Sequence, residues 1–396
     1  DIKFSVSAPG KVILFGEHSV VYGYPAIAAA IDLRCYFDCH FIRRVGGENQ
    51  HPRTVNFQFA DFDNLFCELL LPEVEKFSDA TCDQLREMSS QFSPDLNEKL
   101  NRLPKATTLK QSISVLNYVL LRCLQKNQPL KCNFGPYLSN SELQITVTVR
   151  SEIPIGAGLG SSAAFSVAAA TCFELLVGSL PLTFPLTLNA DQCDSIRKLA
   201  HEAEVIVHGS PSGIDTATSV QGGAVWFKRS GDGGCSIHPV SALPACHFPL
   251  LIVDSRVNRS TGDAVRMVAR AHSQDPIKTG QLLEFIGKLT DQAHHELTSL
   301  NSPTDMTILA SLVDRNQKAL HALGVSSATL DRIVNLLSEF GLSSKITGAG
   351  IGGCVIGVSR SMDMSTLQRA AEYMCHAGFP ATLVCAFSKG VFVSHE

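Results

Sequence analysis

Alternation of apolar and polar residues with a period of two marks three stretches in the first half of the chain. Leu33, Cys35, Phe37, Cys39 and Phe41 share one side of an extended segment at 33–41, and Val55, Phe57 and Phe59 do the same at 55–59. Leu143, Ile145, Val147 and Val149 alternate with Gln144, Thr146 and Thr148. Each pattern predicts a half-buried strand. Helical periodicity fills 109–126, 162–177 and 191–208. The last opens at Asp191, a good N-cap, and stops at Gly209. The segment 72–104, rich in Glu, Asp, Ser and Pro, reads as surface helix or lid.

A second pattern follows the glycines at 231–234 and the proline-punctuated stretch through Pro249. It opens with the apolar run Leu250-Leu-Ile-Val253. Long helical patterns occupy 262–274, 280–300, 305–323 and 328–340, and short strands return at 354–358, 382–387 and 391–394. At 396 residues the chain is too long for one ordinary core. A boundary near residue 244 divides it into domains 1–244 and 245–396.

Composition narrows the partners. Apolar residues make up 45% and charged residues 18%, the balance of a packed globule, and the net charge is −4. No basic cluster interleaved with aromatics suggests nucleic acid, and no run of about 18 apolar residues suggests a membrane span. The first 30 residues lack the pattern of a secretory signal. Thirteen cysteines are scattered without Cys-x-x-Cys pairs or zinc spacing, so buried thiols in a cytoplasmic protein are expected. The His294-His295 pair reads as helix surface.

Three glycine-rich stretches carry the chemistry: 7–18 (SAPGKVILFGEH), 153–163 (IPIGAGLGSSA) and 347–354 (TGAGIGGC). The middle one runs into an alanine-rich helical pattern, and a glycine loop feeding a helix N-terminus is a cradle for phosphate. Gly158-x-Gly160-x-x-Ala163 and Gly348-x-Gly350-x-x-Gly353 both fit a dinucleotide fingerprint as bare patterns. Both fail in context: no acidic strand follows the helix at 162–177, and a strand, not a helix, follows Gly353. The Walker pattern is absent. What remains is a non-Walker phosphate loop, with Ser161 and Ser162 placed either to cap the helix or to coordinate phosphate-bound Mg²⁺.

In their order and spread along the chain, these stretches resemble the three motifs of the superfamily of galactokinase, homoserine, mevalonate and phosphomevalonate kinases. Galactokinases follow Gly-Glu-His with Thr-Asp-Tyr, whose aspartate binds sugar hydroxyls; here Ser19-Val-Val stands instead. That difference, with His208-Gly-x-Pro-Ser-Gly-x-Asp215, resembles the mevalonate kinases. The resemblance implies a two-domain α/β (α+β) fold: an N-terminal mixed domain and a ferredoxin-like C-terminal domain with helices on an antiparallel sheet. It implies ATP-dependent phosphorylation of the C5 hydroxyl of mevalonate, a homodimer, and inhibition by prenyl diphosphates. Another kinase of the superfamily, or a catalytically silent sensor on the same fold, is the alternative reading.

The resemblance places the nucleotide on Lys11, Gly156, Gly158, Leu159, Gly160, Ser161, Ser162 and Ala163, with Gly348 and Gly350 of the late loop. Asp215 is the candidate base, although its turn equally suits an Asx-turn or a helix cap. Lys11 follows Pro-Gly on a rigid turn and is suited to stabilising an alkoxide and the transferring phosphoryl group. Glu204, beside Val205, Ile206 and Val207, is either a surface charge or a partly buried ligand. In the resemblance Ser162 and Glu204 hold Mg²⁺. Glu17, His18, Arg259 and Thr261 match substrate-side positions, with His18 or Arg259 the cation for an acidic substrate. Two positions depart from the family: Phe165 replaces a tyrosine, and Ile351 replaces a glycine. Isoleucine resists positive φ, so residue 351 is expected to be extended or helical.

Overall fold

The computed structural model describes residues 2–43, 54–71, 76–126, 135–138, 143–229, 234–240, 248–258, 261–299, 306–361 and 363–395. The first half runs β1 (Ile2–Phe15), β2 (Ala26–Arg43), β3 (Thr54–Phe59), β4 (Leu65–Leu70), α1 (Cys82–Ser89), α2 (Pro94–Asn101), α3 (Ala106–Lys126), α4 (Gly135–Leu138) and β5 (Leu143–Ser151). It continues through α5 (Ser161–Leu176), α6 (Ala190–His208), α7 (Ile214–Gln221), β6 (Ala224–Arg229) and β7 (Cys235–Pro239). The second half comprises β8 (Phe248–Asp254), α8 (Thr261–Gln274), α9 (Pro276–Ser299), α10 (Thr307–Ala322) and α11 (Ala328–Glu339). It closes with β9 (Ser343–Ile346), β10 (Cys354–Val358), α12 (Met364–His376), β11 (Ala381–Ala386) and β12 (Phe392–His395).

The long strand β2 organises the first sheet. It pairs antiparallel with β1, β5 and β6, while β3 joins β5 in parallel and β4 forms the edge. The predicted alternation at 33–41 is its outer half, where Cys35, Phe37, Cys39 and Phe41 face the core. Its inner half, Ala26–Ile31, is buried throughout. A strand covered on both faces reads as a continuous apolar run and shows no period of two, which is why the sequence pattern starts late. Strand β1 is buried from Phe4 to Phe15 for the same reason.

Helix α5 is apolar nearly all the way round, as expected of a helix enclosed by neighbours. Its alanines allow close approach of α3, α6, α7, β1 and β2. The helix predicted to start at Asp191 is instead capped by Asn189. The Asn189 side chain accepts from the Gln192 amide at 2.9 Å, and Gln192 accepts from the Asn189 amide at 2.9 Å. This reciprocal pair places Asp191 inside the first turn.

The second sheet has the order β9-β10-β8-β11, antiparallel throughout, with α10, α11 and α12 packed on it. Strand β8 serves two cores: Leu250 and Ile252 join the first, Leu251 and Val253 the second. The halves are sewn together by pairing of β12 with β1 and by a bridge from Ala386 to Ile31. Gly222, at the end of α7, lies against the 388–390 loop in a left-handed conformation (φ 71°). A Cβ there would sit 2.1 Å from the Gly390 nitrogen. Gly222→Ala is therefore expected to lower unfolding stability by about 2–4 kcal/mol in urea titration. An unchanged midpoint would show that the loop has room.

Candidate active site

Strand β1 delivers Lys11. Its pairing with β2 slips between Pro9 and Lys11, at Gly10, where a Cβ would lie 2.8 Å from the Leu159 carbonyl. The close approach lets the Lys11 amide donate to that carbonyl at 2.8 Å. Gly160 is the second small residue here, since its Cβ would lie 2.9 Å from Lys11 Cγ. The lysine side chain is 6% exposed. Its Nζ donates to the Gly158 carbonyl at 3.3 Å and lies 3.3 Å from Asp215 Oδ2.

Asp215 occupies the first turn of α7, whose N-cap is Gly213 in a left-handed conformation. The aspartate is therefore not itself the helix cap, and its carboxylate is 37% exposed beside the ammonium. His201 of α6 backs the turn, its ring 3.5 Å from where a Gly213 Cβ would project.

The phosphate loop turns on Gly156, Gly158 and Gly160, with φ of 81°, 83° and 76°. Leu159 anchors it in the core. Gly160 is the N-cap of α5, and a glycine has no side chain to satisfy the first-turn amides. Neither serine fills that cap. Ser162 instead donates to Glu204 Oε2 at 3.0 Å and lies 2.9 Å from His208 Nε2. Ser166, one turn on, donates to Glu204 Oε1 at 2.8 Å.

Glu204 is thus a buried carboxylate. Desolvation pushes its pKa up to about 7, the two serine hydroxyls oppose that rise, and the nearby Asp215 charge adds to it. The Lys11 charge also opposes the rise, and His208 Nε2 lies 3.5 Å from Glu204 Oε2. Two oxygen donors side by side suit Mg²⁺, which takes only one or two protein ligands besides phosphate and water. The donor set fits the ion.

The end of β1 meets the third glycine stretch. Thr347 Oγ1 accepts from the Ile13 amide at 2.9 Å and donates to the Ile13 carbonyl at 3.0 Å. Glu17 is buried in an ion pair with Lys345, and Asn316 Nδ2 donates to it at 3.1 Å. His18, left-handed at φ 60°, has Nε2 2.8 Å from the Ala349 carbonyl. The carbonyl acceptor assigns the proton to Nε2. Burial holds the His18 pKa below the usual imidazole value, with the Ala349 carbonyl and Glu17 opposing. That shift favours the neutral ring over the cation.

Gly348 and Gly350 have φ of 81° and 76°. Ile351 corrects an expectation: it is neither extended nor helical but left-handed, at φ 65°. Its amide donates to the Val325 carbonyl at 2.7 Å, and Gly353 donates to the Val257 carbonyl at 3.1 Å. These bonds fix the loop whatever the side chain prefers. Thr261 is exposed at the start of α8, and Arg259 lies outside the described residues. Phe165 keeps the aromatic packing, edge-on to Phe37 with centroids 5.3 Å apart.

Sequence reasoning missed four participants. His208 and Ser166 sit one turn from Glu204 and Ser162, a spacing that puts each beside its neighbour. Lys345 and Asn316 are long-range partners with no local signal.

Comparison with known proteins fits this architecture. Models of the GHMP kinases N terminal domain and the GHMP kinases C terminal match residues 120–223 and 296–377. A galactokinase galactose-binding signature matches residues 1–39. Mevalonate kinase of Gibberella zeae is 34% identical, the match covering 96% of this chain and 75% of the relative. Mevalonate kinase of Mus musculus is 30% identical, over 94% and 91%. Among solved structures, L. major mevalonate kinase in complex with R-mevalonate has a TM-score of 0.67 at 21% identity, covering 97% of this chain and 95% of that one. Lactococcus lactis galactokinase complexed with galactose has a TM-score of 0.63 at 16% identity, covering 98% and 94%. These structural likenesses show the fold.

The two matched segments, one in each half of the chain, place it among the GHMP kinases. Within that class the chain belongs to the mevalonate kinase family.

The strain at Ile351 is testable. A β-branched residue at positive φ costs about 1–2 kcal/mol. Ile351→Gly is expected to raise the urea midpoint, net of the glycine's added unfolded-state entropy. A lower midpoint would show that the side chain's contacts outweigh the strain.

Proposed function

We propose that the protein transfers the γ-phosphoryl group of ATP to the C5 hydroxyl of mevalonate, giving 5-phosphomevalonate and ADP. The observation that carries this reading is the contact of Lys11 with Asp215 and the Gly158 carbonyl, beside the loop that opens α5. Phosphoryl transfer asks for positioning, charge neutralisation and a proton acceptor. The first-turn amides of Ser161, Ser162 and Ala163 point the positive end of α5 at the phosphates. Asp215 takes the hydroxyl proton as the oxygen attacks the γ-phosphorus and the bond to ADP breaks. Lys11, shielded from water, steadies the charge developing on both oxygens, where a low local dielectric makes its field strong. Ser162 and Glu204 would hold Mg²⁺, which when bound neutralises charge on the phosphate oxygens.

The acceptor is read from the first motif. Galactokinases have an acid at the position of Val20, which here packs in an apolar cluster with Ile13, Ala26, Ile214 and Phe227. Ile214 precedes the candidate base. Apolar neighbours suit mevalonate's methyl-bearing chain and leave a sugar's hydroxyls unpaired. The galactokinase signature match over residues 1–39 spans this motif without supplying that acid. The similarity to relatives named mevalonate kinase supports the same choice.

ATP consumption measured with mevalonate, phosphomevalonate, homoserine and galactose should rank mevalonate first, and preference for another acceptor would refute the assignment. Asp215→Ala is expected to lower kcat by about a thousandfold or more while nucleotide binding stays near the parent value. Near-normal turnover would remove Asp215 from the mechanism. Glu204→Gln should raise the Mg²⁺ concentration for half-maximal rate by about tenfold; an unchanged requirement would remove Glu204 from the metal site.

A further inference from the structure

Lys345 is an unusual residue for its place. It lies in β9 between small and apolar neighbours, and its side chain has no solvent exposure. The ammonium donates to the Ile346 carbonyl at 2.7 Å and to the Ile13 carbonyl at 3.4 Å, and it pairs with Glu17. Glu17 also accepts from Asn316 of α10. The next residue of α10, Gln317, accepts from the Ile346 amide at 2.9 Å. One lysine therefore joins β1, the turn after it and β9, and α10 is tied to the same group through Glu17 and the Ile346 amide.

Burial of a charge pair stabilises little. Removing ions from water costs several kcal/mol each, and neutral replacement of both partners is often tolerated. The geometric effect is larger. Ile13 is two residues beyond Lys11 on the same strand. It is held on its main chain by Thr347 and on its carbonyl by Lys345. Glu17 fixes the turn whose next residue, His18, grips the Ala349 carbonyl of the third glycine loop. Residues 13–18 and 345–349 are clasped together, with the reacting lysine at one end of the clasp.

We infer that Lys345 is a positioning residue for phosphoryl transfer: through Glu17 and the Ile13 carbonyl it fixes the strand carrying Lys11 against the C-terminal half of the chain. Glu17 then serves as its partner and not as a ligand of the substrate. The inference rests on the kinase reading, because it is Lys11 whose placement matters.

Lys345→Met alone leaves the Glu17 carboxylate buried without a cation and should lower the melting temperature. The pair Glu17→Gln with Lys345→Met removes both charges and keeps an acceptor for Asn316. It is expected to melt near the parent while kcat falls about tenfold or more, since displacements near 1 Å cost up to about a hundredfold. KM for both substrates should change by no more than about threefold. A double variant with both melting temperature and kcat at parent values would reduce Lys345 to a structural charge. A loss confined to KM would place it in binding, and either result overturns the inference. Should Lys345→Met fail to fold, the double variant carries the test. A parent enzyme inactive on mevalonate would defeat the substrate assignment alone, because the same comparison then runs on whichever alcohol it phosphorylates.

Discussion

A buried ammonium must be answered by negative charge or by carbonyl oxygens, and Lys11 is answered by both. Asp215 supplies the charge and Gly158 the carbonyl, each at 3.3 Å. Those two contacts dictate much of the surrounding backbone. The loop before α5 must run within hydrogen-bonding distance of β1, so Gly10 and Gly160 stand where any Cβ would strike the opposite chain. Helix α7 must begin with its first turn aimed at β1. The lysine stem is buried between them, and the lower dielectric there strengthens its field.

The Lys11 strand is also where the two halves of the molecule meet. Its far end is bonded by Thr347 and Lys345, and its near end pairs with β12 from the C-terminus. The loop before α5 and Asp215 come from the first half, and the third glycine loop, bonded to Ile13 and His18 of the same β1 region, comes from the second. Buried polar contacts across this seam are directional where apolar ones are not. They specify how the halves sit as well as that they adhere.

Much of this was legible in the sequence where local rules apply. Outer β2 and β5 alternate because one face is partly exposed, and β3 alternates in sequence although Thr54 and Asn56 are buried as well. Helices α3 and α8 to α11 announce themselves by periodicity, and α5 by its alanine-rich run after a glycine loop. The first and third glycine stretches do meet in the fold, through Thr347 on Ile13 and His18 on Ala349. What escaped had physical causes. Strand β1 and inner β2 are buried on both faces, so alternation vanishes. At Ile351 the hydrogen bond to the Val325 carbonyl and the squeeze at Gly350 and Gly352 overrode the intrinsic preference of isoleucine. Glu17 and His18 stood out by motif, whereas their buried partners, Lys345 and the Ala349 carbonyl, lie in a distant stretch of the chain. Tertiary partners separated by more than 300 positions leave no trace in a local pattern.

A crystal of the enzyme with a nonhydrolysable ATP analogue tests the central claim most directly. The account requires the β- and γ-phosphates to rest on the amides of Ser161, Ser162 and Ala163, with the terminal phosphate facing Lys11 and Asp215. A triphosphate bound elsewhere, with those amides and the Lys11–Asp215 contact untouched, would contradict it.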